Sequence, residues 1–119
     1  MTSDRGSASV YVLAAAALVV ASGVAEAGVG AAVVARHRAA AAADLGALAA
    51  ASSVVRGSSA ACVLAQQVVR ANSARLAGCA VAGSDALVSA TVQPAGWAAT
   101  WGTARVTSRA GPAEQIGAR

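Results

Sequence analysis

The chain of 119 residues contains no phenylalanine and no lysine, and its aromatic residues are confined to Tyr11, Trp97 and Trp101. Alanine, valine and glycine supply most of the 57% apolar fraction. Such small side chains bury little area each, which leaves a weak basis for an ordinary soluble core. With one histidine and two cysteines, the donors for a zinc site are too few. Charge is also sparse, at 12% of residues and a formal net +4. The arginines, at positions 5, 36, 38, 56, 70, 75, 105, 109 and 119, are scattered. Nucleic-acid binding calls for a clustered stripe with interleaved aromatics, and neither is present.

Catalytic signatures are missing too. The acids Asp4, Glu26, Asp44, Asp85 and Glu114 form no pair spaced for acid/base work. No serine sits in a nucleophile elbow, and the Gly28-Val29-Gly30 triplet lies inside an apolar run rather than in a phosphate-binding loop. Nothing points to a cofactor, a metal, a small-molecule substrate or an enzyme.

What the chain does have is length without charge. Ser7 to Ala25 reads SASVYVLAAAALVVASGVA, and after Glu26 the apolar pattern resumes as far as Arg36. A stretch of this length is a transmembrane candidate: Ser7 to Glu26 spans about 29 Å as a helix, near the hydrocarbon thickness. Glu26 then lies near the far interface, either solvated or in contact with a partner subunit. Gly23 and Ala27, and Gly28 and Ala32, are small residues four apart. That spacing lets a second helix approach closely, although alanine/glycine bias alone yields the same pattern.

From Arg36 to Arg56 only Gly46 interrupts a helical sequence, so one helix is expected to leave the membrane at Arg36–Arg38 and continue to about residue 55. Lone His37, flanked by these arginines, reads as a membrane-interface residue. Leu45, Leu48 and Ala49 share one helix face by spacing. After Gly57, Ser58 or Ser59 is placed to cap a second helix reaching about Asn72, with Val63, Leu64, Val68 and Ala71 on its apolar side. Beyond Gly78 the period changes to two: Leu87, Ser89, Thr91 and Gln93 alternate with Val88, Ala90 and Val92. CAVAG, DALVSATVQP and WGTARVTSRA, with polar breaks at Gly83-Ser84-Asp85 and Pro94-Ala95-Gly96, are expected as two or three antiparallel strands, the first pair joined by a tight turn. The fold class is therefore α+β: a long transmembrane or pilin-like helix, a second short helix and a small antiparallel sheet.

Cys62 falls in the second helix and Cys79 at the first strand. In a reducing compartment they would be two buried thiols. Behind a membrane segment, on the oxidising side, a disulfide is the leading reading. Closing such a loop stabilises a fold by about 3 kcal/mol.

Three stretches resemble one family. DRGSASVYVLAAAALVV at 4–20 is similar to the N-terminus of TadE-like proteins, the pseudopilins of tight-adherence (Flp-type) pili. VVARHRAAAAADLGALAAA at 33–51 looks like the arginine-then-Ala-Asp-Leu segment of TadE- and TadG-like proteins. The Cys62–Cys79 interval with its RVTSRAGP ending resembles small actinobacterial members of that family. The resemblance implies cleavage by a prepilin peptidase between Gly6 and Ser7. It also implies partners among membrane lipid, other pilin-like subunits and the Tad or associated secretion machinery. The fifth residue counted from Ser7 is Tyr11, where pilin-like proteins usually carry glutamate. A hydroxyl there cannot offset a neighbouring N-terminal ammonium, so the resemblance implies a minor, priming or tip role rather than a major fibre subunit.

The resulting division is a leader over 1–6, a long helix over 7–56, a small exported α+β domain over 57–110 and a loose tail over 111–119. Orientation rests on opposed signals. Arg36 and Arg38 outnumber Arg5, which alone favours a cytoplasmic C-terminal side. The family resemblance and the cysteines favour an extracytoplasmic C-terminal domain in the cytoplasmic membrane, at the cell surface or secreted. The alternative function is a soluble secreted effector or binding protein: Ala25-Glu26-Ala27 fits a signal-peptidase site that would release a chain starting at Gly28.

Overall fold

The computed structural model describes residues 3–112, with side chains from residue 6 onward. The first residues of the expected leader, and most of the expected loose tail, lie outside the described residues. Helix α1 runs unbroken over Ser3–Ser52, about 75 Å at 1.5 Å per residue. Alanine, the best helix former, dominates it, and no proline falls within it. The helix stops slightly before the expected residue 55. A single 3₁₀ turn, Val54–Arg56, follows, and Gly57 at φ 104° redirects the chain in a conformation that side-chain-bearing residues rarely adopt.

Helix α2 spans Ser58–Ala71. The expected serine cap is not made. Gly57 occupies the capping position with no side-chain bond, and its carbonyl accepts from the Ala61 N–H at 3.1 Å. At the other end the Val68 carbonyl accepts twice from Asn72, from its backbone N–H at 3.2 Å and from its side-chain amide at 2.8 Å.

Strands β1 (Arg75–Ala82), β2 (Asp85–Val92) and β3 (Ala104–Ala110) form one antiparallel sheet in that order. The β1–β2 turn is the tight one expected, with Ala82 opposite Asp85 and Gly83 at φ 62°. β1 begins at Arg75 rather than beyond Gly78. A bulge explains why its pattern was hidden: the register shifts between Leu76 and Gly78, leaving Ala77 as the extra residue. The bulge reverses the in–out phase, so Leu76 before it and Cys79 and Val81 after it all pack against the core. The expected third strand is shorter than the WGTARVTSRA stretch. Its first residue belongs instead to a 3₁₀ turn, Gly96–Trp101, between β2 and β3.

Both helices lie on one face of the sheet, α1 over β2 and β3 and α2 beside it over β1. From β2, Ala86, Val88, Ala90 and Val92 face the helices, while Leu87, Ser89 and Thr91 alternate outward as their period implies. On the helices the small side chains are buried and the larger ones face outward. Ala35, Ala39, Ala42, Ala43, Ala47 and Ala50 form the buried seam of α1. Leu45 and Leu48 point outward at 46% and 60% exposure, and Ala49 is only half-buried. In α2, Ala61, Ala65 and Val69 are buried; Val63 and Ala71 are exposed, and Leu64 and Val68 are half-buried.

Proximity accounts for this inversion. A Cβ on Gly46 would meet Val69 Cγ2 at 2.8 Å and Val88 Cγ1 at 3.1 Å, so α1 lies nearly backbone-close to α2 and β2 at once. Only small side chains fit such a seam. Val69 and Val88 are the largest fully buried side chains among the described residues. Asp44 adds a polar tie, accepting from the Ser108 hydroxyl of β3. Enlarging the seam should therefore hurt more than trimming the outer face. Gly46→Leu is expected to lower stability by about 1–3 kcal/mol through overpacking, and Leu48→Ala by about 0.5 kcal/mol or less. Denaturant unfolding of the detergent-solubilised chain measures both.

Candidate functional site

The candidate site is a junction on α1 rather than one of the surface depressions. Upstream of it α1 is bare, and residues 6–27 are exposed throughout. Val10, Leu13, Leu18 and Val20 are 64–73% exposed, so nothing among the described residues removes them from water. By length and composition this is the one helix among the described residues able to cross a membrane. Polar groups here are few. The Ser22 hydroxyl donates to the Val19 carbonyl at 2.9 Å, which lets a serine sit in an apolar helix without an unsatisfied donor. Glu26 is exposed near the end of the bare stretch.

At Gly28 the helix meets its own domain. Trp97 lies where a Cβ on Gly28 would stand, so the indole six-membered ring rests directly on the helix backbone. Trp101 stacks edge-on to Trp97, with centroids 4.6 Å apart at 87°. The turn that carries both is held by buried Ala98 and by a bond from the Thr100 hydroxyl to the Trp97 carbonyl at 2.7 Å. Gly96 and Gly102, at φ 63° and 107°, bracket it. Beyond the junction Arg36, His37 and Arg38 are all exposed.

The proposed site residues separate cleanly by location. Gly6 and Ser7 sit exposed near the start of α1. Gly23 and Ala27 lie open on the bare stretch, whereas Gly28 is covered by Trp97 and Ala32 is half-buried beside the tryptophan turn. The second small-residue pair is thus occupied within the chain. Cys62 and Cys79 are joined as a disulfide, with a Cα–Cα distance of 5.8 Å, tying α2 to β1. Tyr11 is 74% exposed on the bare helix.

A surface depression bordered by Ser84, Asp85, Arg109, Gly111 and Pro112 holds an ion pair between Arg109 and Asp85. The Arg109 Nε donates to Asp85 Oδ2 at 3.0 Å, so its two charges answer each other. Among the described residues no three histidine, cysteine or acidic side chains gather as metal ligands.

One comparison bears on the bare helix and its seam. Residues 6–53 match a family model described as "Putative Flp pilus-assembly TadE/G-like". The TadE/G-like segment is thus α1 from Gly6 to its end, including both the bare half and the alanine seam. Helix α2, the sheet and the disulfide lie beyond it. No curated protein and no solved structure matches the chain. The TadE/G-like match and the long apolar helix together fit a component of pilus assembly.

Sequence reasoning missed the tryptophan turn. Its signal was there: two of the three aromatic residues, four apart, between Pro94-Ala95-Gly96 and Gly102. The Asp44–Ser108 bond carried no such signal, since 64 residues separate the partners. Two outcomes follow. Cys62→Ser or Cys79→Ser should cost about 3 kcal/mol in denaturant unfolding, an effect that reductant reproduces in the unmodified chain. Gly28→Val should expel Trp97 from its seat and weaken the circular-dichroism couplet of the edge-on indole pair.

Proposed function

We propose that this chain is a minor pseudopilin of the TadE type, a single-pass structural subunit of a Tad/Flp-like pilus assembly or an associated secretion system. The observation that carries this reading is the division of one TadE/G-like helix into two halves. The first has no protein cover and the dimensions of a membrane span. The second is fused without a break to a small disulfide-stapled domain. A disulfide persists on the oxidising side of the membrane, which supports an extracytoplasmic domain and an N-terminus inside. Leu45, Leu48 and Val63, exposed on the outer faces of α1 and α2, give partner subunits apolar surface to cover. Membrane lipid is the other partner, and prepilin peptidase the processing enzyme.

In this reading Gly6 is the residue after which the leader is cut, and Ser7 begins the mature chain. Tyr11 offers a hydroxyl where a fibre-forming pilin would present a carboxylate, which favours a priming or tip position over bulk polymer. The competing reading, release by cleavage after Ala27, has two features against it. The helix is continuous through Ala25-Glu26-Ala27, and Trp97 packs on Gly28, the residue that would become the new terminus.

Mass spectrometry of the chain recovered from cells with a prepilin peptidase tests both. A mature N-terminus at Ser7 is expected, with Gly6→Val leaving the leader attached. An intact Met1 or Thr2 in the unmodified chain would count against the pseudopilin, and a terminus at Gly28 would establish the secreted form.

A further inference from the structure

The tryptophan turn is unexplained by packing alone. Trp97 and Trp101 are the only tryptophans of the chain, and they remain 42% and 59% exposed. A core this short of large side chains would be expected to bury them, yet its interior is filled with alanine and valine. Their position is specific. The β2–β3 turn is where the domain reaches furthest along α1 toward the bare half, and Trp97 touches the helix at Gly28, the first buried position after 6–27. With Ser7 at one edge of a hydrocarbon layer about 30 Å thick, Gly28 falls at the other edge, since 21 residues rise about 32 Å. The two indoles therefore stand where the helix leaves the hydrocarbon, about 12 Å before the Arg36–Arg38 level at which it clears the membrane.

Indole is suited to that level. Its ring is apolar and its N–H needs an acceptor, and this combination concentrates tryptophan at membrane–water interfaces. Neither indole N–H has an acceptor among the described residues. Glu26 lies two residues from Gly28, hence on nearly the opposite side of the helix, so the exit point has an aromatic side and a carboxylate side.

We propose that the Gly96–Trp101 turn is a membrane-interface anchor: Trp97 and Trp101 seat among the ester carbonyls and headgroups of the lipid that surrounds the exit of α1. The partner is the lipid interface itself. Gly28 lets Trp97 lie against the helix, the T-shaped pair keeps the two rings together, and the two flanking glycines permit the sharp turn that brings them there. The anchor fixes how high the domain rides above the bilayer. It rests on the reading of α1 as a membrane span.

The test uses the full chain in phosphatidylcholine liposomes, where all tryptophan fluorescence comes from these two rings. Lipids brominated near the glycerol end of the acyl chain should remove most of the emission, and lipids brominated near the chain terminus should remove little. Emission that neither lipid quenches and that aqueous iodide quenches fully would overturn the anchor. Shielding from both quenchers that appears only at high protein density would assign the rings to contacts between copies, and would overturn it too. A second variant reports on the span independently: Leu13→Trp placed on a Trp97→Phe, Trp101→Phe background. Strong quenching by the deep bromines there, with no bromine quenching of Trp97 and Trp101 in the unmodified chain, means the span holds and the anchor fails. Absence of quenching at position 13 means that the span reading, and the anchor with it, is wrong.

Discussion

Everything in the packed half of this protein depends on how closely α1 lies against the sheet and α2. At Gly46 the helix backbone is within van der Waals reach of Val69 and Val88 side chains, and the seam on either side is alanine. That closeness has a cost in driving force. A fully buried leucine, isoleucine or phenylalanine contributes about 1.5–3 kcal/mol, and an alanine methyl only about 0.8 kcal/mol. The domain therefore lacks the usual source of stability for its size. A cross-link worth about 3 kcal/mol matters more here than in a leucine-rich core, which explains why α2 and β1 are covalently joined.

The same helix solves two problems with one composition. Upstream of Gly28 the alanine, valine and leucine side chains face outward on all sides, and lipid or neighbouring helices can solvate them. Downstream, the small side chains turn inward to the sheet and the larger ones outward. No break separates the two regimes, so the transition is made by what packs on the helix rather than by a change in the helix. The tryptophan turn marks the border, and it does so from the far end of the chain.

Much of this organisation was legible in the sequence. The long apolar helix, the second helix after Gly57, the hairpin at the Gly83-Ser84-Asp85 break and the period-two pattern of β2 all rest on local signals, and local signals survive translation into structure. Which helix faces are buried was not legible. Spacing placed Leu45, Leu48 and Ala49 together, but spacing identifies a face without saying which face is buried. In an alanine seam the usual link between size and burial is reversed. β1 escaped detection at its start because the bulge at Ala77 breaks the alternation on which strand recognition relies. At the candidate site the cysteine pair was readable, whereas the seating of Trp97 on Gly28 joins residues far apart in the chain and leaves no local trace.

An unbroken helix is also a lever. From Gly28 to Ser52 it extends about 36 Å beyond the tryptophan level, and a span tilting by about 20° in the bilayer would swing that far end sideways by about 12 Å. With no hinge between span and domain, a change in bilayer thickness or a pull on the lower half is delivered to the domain as rotation rather than absorbed. If the bare half spans a bilayer as proposed, the direction in which the outer leucines face is thereby coupled to that bilayer.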